Sequence, residues 1–144
     1  MPNATIEKFG YPGSLLRETP GWVVLLRPQQ VTAGCMVLAC KESATSLGRI
    51  SAEAAAQLPG VVKEIEEALA ASFRPEKVNY LALMMVDPHV HFHVIPRYPV
   101  PVQIADAEVV DPGWPGPPAI QEVADLTDSQ LHAIREELRK HWPR

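Results

Sequence analysis

His89-Val90-His91-Phe92-His93-Val94-Ile95-Pro96-Arg97 is the stretch on which the reading of the whole chain turns. Three of the protein's five histidines fall at alternating positions within it. Val90, Phe92 and Val94, which separate and follow them, are branched or aromatic, and such residues favour strands. Alternation of polar and apolar positions predicts a half-buried strand. Next-but-one residues of a strand share a face and stand about 6.5–7 Å apart along the chain. All three imidazoles are therefore expected on one side, with Val90, Phe92 and Val94 anchored in a core on the other. A helix would scatter the same histidines around its circumference.

Spacing alone leaves three readings of such a strand open. Neutral imidazole is the commonest metal-ligand type, so the face could hold a metal. It could carry out nucleotidyl or phosphoryl chemistry, one imidazole attacking phosphorus while its neighbours manage protons and charge. It could also be a solvated histidine-rich strand without a function.

Working outward, Tyr80 to Val86 is an apolar run expected as a strand, and Asp87-Pro88 supplies turn chemistry for a tight antiparallel connection to the histidines. Trp22 to Leu26 predicts a strand covered on both faces and ended by Pro28. A loop containing Gly34 leads to a second run, Cys35 to Cys40, which pairs with the first as a hairpin. Ser51 is a good N-cap for the helix formers from Ala52 to Leu58. Pro59 either opens a new helix or kinks a continuous one. Leu58, Val61, Val62, Ile65, Leu69 and Phe73 recur at helical spacing, Lys63, Glu64, Glu66 and Glu67 line the wet side, and Arg74-Pro75 ends the run.

Residues 1–20, punctuated by Pro2, Gly10, Pro12, Gly13 and Pro20, are expected to be irregular. After Arg97 a proline-rich loop (about 98–120) is too apolar for a free linker and is expected to lie ordered over the body. Trp114 within it either plugs the core or reaches a ligand site. Thr127-Asp128-Ser129-Gln130 forms a capping box for a C-terminal helix (about 127–142) with Leu131, Ile134 and Leu138 on one stripe and His132 and His141 on the surface. The expected architecture is α+β, an antiparallel β-meander of at least four strands with one long helix packed across it and a C-terminal helix, in one domain over 1–144.

Composition narrows the function classes. The chain has 144 residues, 47% hydrophobic and 21% charged, with a net charge of −4. Without a basic run, binding of a nucleic acid polymer is not expected. No stretch reaches the ~18 apolar residues of a bilayer span, and the charged N-terminus has no signal-peptide core, so cytoplasmic residence without membrane attachment is expected. Cys35 and Cys40 fall on opposite faces of their run, and no Cys-x-x-Cys pair suggests a zinc site. Both are expected to be reduced packing residues.

With two apolar residues and Pro96-Arg97 after the third histidine, the string resembles the signature of the histidine triad (HIT) superfamily of nucleotide hydrolases and transferases. The resemblance extends to Asn79-Tyr80-Leu81-Ala82-Leu83 and to Gly34-Cys35-Met36-Val37-Leu38, covering about residues 20–100. In the latter segment Ala33 replaces the family's proline and Cys35 its histidine. The resemblance implies a HIT-like fold and hydrolysis or transfer of nucleoside 5′-phosphate conjugates, such as dinucleoside polyphosphates or nucleoside phosphoramidates, through a covalent nucleotidyl-histidine. It implies His91 as nucleophile, His93 beside the phosphate to help with charge and protons, and His89 as support through hydrogen bonds. Asn79 is implied as a nucleotide contact, or else simply ends a loop; Arg97 could reach a polyphosphate tail, or mark an exposed strand end. No cofactor or metal is required, the partner is a small-molecule nucleotide, and relatives form two-fold homodimers. The alternative is a binding protein that holds a nucleotide or metal without turnover.

Two departures from the family pattern bear on the substrate. The amide that relatives carry shortly before the triad is missing from Met84-Met85-Val86-Asp87. Arg27 stands near the place of an aspartate that holds the ribose hydroxyls. Met84 and Met85 are expected in the strand core, with lining of a base pocket as the alternative.

Overall fold

The computed structural model describes residues 2–144. Residues 2–20 are more ordered than expected. Ala4–Lys8 form a helix (α1) whose N-cap Asn3 accepts a hydrogen bond from the Ile6 amide, and Leu15–Glu18 form a strand (β1). A five-residue helix has almost no stability of its own, so its supports are tertiary. Asn3 Nδ2 donates to the carbonyls of Cys40 (3.0 Å) and Glu42 (3.2 Å), and Ile6 and Phe9 are buried against the sheet. No local pattern announces such contacts.

Trp22–Leu26 (β2) and Met36–Cys40 (β3) make the expected hairpin, Trp22 opposite Cys40 and Leu26 opposite Met36, with every residue buried. The intervening loop is built on Gln30, whose side-chain oxygen accepts from the amides of Gly34 (2.8 Å) and Cys35 (3.1 Å) while its nitrogen donates to the carbonyls of Arg27 and Cys35. Gly34 takes φ +91°, a region that L side chains rarely adopt, and a Cβ there would come within 2.9 Å of Leu69. Both cysteines are buried and unbridged.

Ala52–Ser72 form one continuous helix (α2) that carries Pro59 in its interior, and the Ser51 hydroxyl accepts from the Ala54 amide. Val61, Ile65, Ala68 and Leu69 turn to the sheet. Lys77–Leu81 (β4) and His91–Arg97 (β5) complete a five-stranded antiparallel sheet of order β1-β2-β3-β5-β4. It is not a simple meander, because β5 returns between β3 and β4. The expected strand from Tyr80 to Val86 is corrected: it starts earlier and ends at Leu81, and residues 82–90 form a loop instead of a tight turn. Met84 at φ +46° takes the chain out of strand geometry, and Met85 and Val86 are 82% and 84% exposed.

The proline-rich stretch holds a small hairpin, Val102–Ile104 (β6) with Ala107–Val109 (β7), that the prolines had obscured. Thr127 and Gln130 make the capping box of Asp128–His141 (α3), which lies beside α2 with Ile134 and Leu138 buried. His132 is exposed and His141 half-buried against Glu137. The antiparallel sheet with one long helix and a C-terminal helix is the α+β arrangement expected. No helix among the described residues is long and apolar enough to cross a membrane.

The two faces of the sheet differ. Trp22, Val24, Met36, Leu38 and Val94 pack beneath α2 and α3. Val23, Leu25, Val37 and Ala39 look the other way and meet Ile6 and Phe9 at and just after α1. His93 lies opposite Val37 and His91 opposite Ala39, so both histidines share this second face.

Candidate active site

Only His91 and His93 sit on the strand as expected; His89 precedes it in a bend. From there His89 makes two contacts. Its carbonyl accepts from His91 Nδ1 at 2.7 Å, and its own Nδ1 bonds the Thr5 hydroxyl of α1 at 3.0 Å. A carbonyl can only accept, so His91 Nδ1 carries the proton and Nε2 keeps the lone pair in the neutral ring. His91 is 2% exposed. The His93 ring stands edge-on to it, centroids 4.9 Å apart, and Phe9 closes over both at 5.9 and 6.1 Å.

Both rings open into a pocket walled by Arg27, Val31, Cys35, Ile95, Ile120 and Gln121, and by residues 83–87 of the loop. Met84 and Met85 therefore line the pocket and are not strand core. The loop is held by an ion pair of Lys8 with Asp87, 2.8 Å. Burial pushes the His93 imidazole down to about 4, helped by the neighbouring His91 and Arg27 and opposed by Asp87. His93 is thus neutral at pH 7.

This has a consequence for stability. Unfolded, the ring takes a proton below about 6.5; folded, only below about 4. The unfolded chain binds more protons between those values, so stability falls as pH drops through that window. Thermal melts from pH 7 to 4 should show this loss, and His93→Gln should remove that part of the slope. An unchanged slope in the variant would contradict the assignment.

Asn79 and Arg97, the two expected nucleotide contacts, do not line this pocket. Arg97 is 4% exposed, and its Nε and Nη2 donate to Asp111 at 2.7 and 3.2 Å while Nη1 donates to Asn79 Oδ1 at 2.8 Å. Asp111 further accepts from the amides of Tyr98 and Gly113. The arginine is buried, neither free to meet a ligand nor an exposed strand end, and it ties the segment after β7 to the sheet. Trp114 is half-buried and belongs neither to the pocket wall nor to the hydrophobic core clusters. The downstream segment reaches the pocket through Ile120 and Gln121 instead, and Gln121 puts an amide on the wall that the triad loop lacks.

Thr5, Phe9, Ile120 and Gln121 carried no signal in the sequence, since nothing local to them indicates which face of a remote strand they will cover. Arg27 did carry one, as a charge where the family pattern has the opposite charge.

A HIT domain model matches residues 11–100, and the chain belongs to that family. No curated protein matches it in sequence. Among solved structures, a histidine triad protein from Sinorhizobium meliloti 1021 is similar at TM-score 0.74 and 16% identity, over 98% of this chain and 96% of that one. A histidine triad protein from Marinobacter aquaeolei VT8 gives 0.71 and 24%, over 94% and 93%. A zinc-bound histidine triad family protein from Mycobacterium smegmatis gives 0.55 and 18%, over 88% and 84%. These likenesses establish the fold.

Proposed function

We propose that the protein is a nucleotide hydrolase or nucleotidyl transferase acting on nucleoside 5′-phosphate conjugates, dinucleoside polyphosphates or nucleoside phosphoramidates, through a nucleotidyl-His91 intermediate. The observation that carries this reading is the tautomer: a buried imidazole whose Nδ1 is tied to the His89 carbonyl keeps its lone pair on Nε2. Attack of Nε2 on the α-phosphorus forms a P–N bond as the bond to the leaving group breaks and the leaving atom takes up a proton. Water, or another acceptor, then breaks the P–N bond and gives its proton away, releasing the nucleotide and restoring neutral His91. The substrate's phosphate anion beside His93 favours protonation of that ring, which offsets developing charge, gives the leaving atom its proton and later takes one from the attacking water. Phe9 keeps water from the covered side of both rings. Gln121 supplies an amide donor, and Val31, Ile95 and Ile120 offer an apolar surface for the base.

The test is a panel of adenosine and guanosine phosphoramidates and dinucleoside polyphosphates, assayed for nucleoside monophosphate release, with acid-quenched protein examined by mass spectrometry for an adduct on His91. Neither release nor adduct on any of them would end this reading.

The second reading, a binding protein that holds a metal, draws on the zinc-bound relative. Among the described residues no three His, Cys, Asp or Glu side chains converge as a metal ion requires. Metal analysis of tag-free protein is expected to give well below one equivalent, and stoichiometric zinc would reverse the ranking.

Thr5 acts as a positioning residue for the triad. Thr5→Val should lower kcat by about fivefold, the worth of one hydrogen bond of about 1 kcal/mol, with KM and melting temperature little changed. An equal fall in stability would make Thr5 merely structural. We also propose a two-fold homodimer, supported by β4, which forms an open edge of the sheet. Light scattering should return twice the chain mass of 15.8 kDa, and a monomer at micromolar concentration would contradict it.

A further inference from the structure

Arg27 is the unneutralised cation of the pocket. Among the described residues no carboxylate lies within ion-pairing distance of it; Arg135 is likewise unpaired with a buried Nε, but it stands on α3 and not on the pocket wall. The acid on the pocket wall, Asp87, is already engaged by Lys8. Arg27 Nη1 donates to the Gln29 carbonyl at 2.6 Å, but Nε is buried without any hydrogen-bond partner. A buried, unsatisfied guanidinium N–H costs free energy and calls for an explanation. A bound anion would supply the missing acceptor.

The sheet register says where that anion would lie. Leu25, Val37 and His93 form one row across β2, β3 and β5. Arg27 is two residues beyond Leu25, its amide bonded to the Cys35 carbonyl, so it occupies the next row on the same face. With strands about 4.8 Å apart and a rise of about 3.3 Å per residue, its Cα is roughly 12 Å from that of His93 and 16 Å from that of His91. An arginine side chain spans about half the longer distance, so its head meets a ligand about one sugar unit away from the phosphorus at His91. Cys35 and Ile95, apolar and without charge, share the row of Arg27, and His93 stands in the row between them and His91.

We propose that Arg27 is a specificity-determining residue that binds a phosphomonoester on the ribose, so that the preferred substrates are nucleoside 5′-conjugates phosphorylated at O2′ or O3′. The inference rests on the nucleotide reading above and names its substrate class. The chemistry is the one by which dinucleotide sites discriminate: a carboxylate there accepts from ribose hydroxyls, an arginine accommodates a ribose phosphate. A guanidinium also offers paired donors in the geometry phosphate oxygens need.

The experiment is calorimetric titration of the wild-type protein, Arg27→Gln and Arg27→Lys with AMP, adenosine 2′,5′-bisphosphate and adenosine 3′,5′-bisphosphate. One bisphosphate is expected to bind about 10–100-fold more tightly than AMP, the range that one charged hydrogen-bonding contact supplies, and which one it is identifies the oxygen that carries the phosphate. Arg27→Gln should bring the two Kd values together, and Arg27→Lys should retain part of the difference. Equal affinity of wild-type protein for AMP and both bisphosphates would overturn the role of Arg27 and leave the nucleotide reading standing. A preference that survives in folded Arg27→Gln protein would do the same. Failure of all three nucleotides to bind would overturn both.

Discussion

His91→Asn protein is expected to turn over at least about three orders of magnitude more slowly than wild type, the scale on which loss of a covalent nucleophile acts. Asparagine is smaller than histidine and stays polar, but its amide nitrogen has its lone pair delocalised into the carbonyl and cannot attack phosphorus. His91 is buried beneath Phe9, but asparagine fills much of its volume and keeps an amide donor toward the His89 carbonyl, so the fold is retained. Melting temperature and nucleotide affinity should therefore persist while the adduct disappears. His93→Ala should slow the reaction without abolishing it. His89→Ala should do least of the three, lowering kcat by about as much as Thr5→Val, because it loses the bond to Thr5 but keeps the backbone carbonyl that holds His91. Near wild-type turnover by His91→Asn protein would remove the covalent mechanism.

The largest effect on stability is expected away from the pocket, at Asp111. Its side chain is 1% exposed and that of its partner Arg97 is 5% exposed. Burial on its own would raise the Asp111 carboxyl, but the hydrogen bonds from Arg97, Tyr98 and Gly113 hold it below the ordinary carboxylate range. Asp111→Ala leaves a guanidinium buried without its counter-charge, which costs about 3–5 kcal/mol. Chemical denaturation should show this as a lower midpoint. Because the folded carboxyl is the more acidic, its contribution is complete above the unfolded pKa and fades as pH falls through the folded one. Asp111→Asn should accordingly be less sensitive to acid than wild type. Arg97→Gln should behave as a destabilised protein whose nucleotide affinity, measured on the folded fraction, is unchanged. A loss of affinity at full stability would return Arg97 to the list of ligand contacts.

The outcome at Arg97 and Asn79 illustrates how a motif can be legible while its roles are not. Pro96-Arg97 helped to identify the family. Which partner the guanidinium would take depended on Asp111, fourteen residues on and brought back only after the hairpin of β6 and β7. The loop at 82–90 failed for a related reason. Its residues are as apolar as a strand's, but the apolarity faces a pocket mouth, and a hydrophobic run does not say whether it will meet a core or a ligand.

The β2–β3 hairpin, the two ends of α2, the capped C-terminal helix and a strand bearing His91 and His93 were all legible in the sequence, because each rests on local periodicity, caps and turn residues within one short stretch; that α2 runs unbroken through Pro59 was not. The sequence by itself also determined the family, since the histidine string is specific. Only the tertiary structure decided that His89 leaves the strand to bond Thr5, that Phe9 roofs the imidazoles, that Ile120 and Gln121 complete the wall, and that Arg27 enters the pocket unpaired. Those are contacts between residues far apart in the chain. Their energies depend on which faces the packed sheet turns toward one another, and no local pattern of residues encodes that.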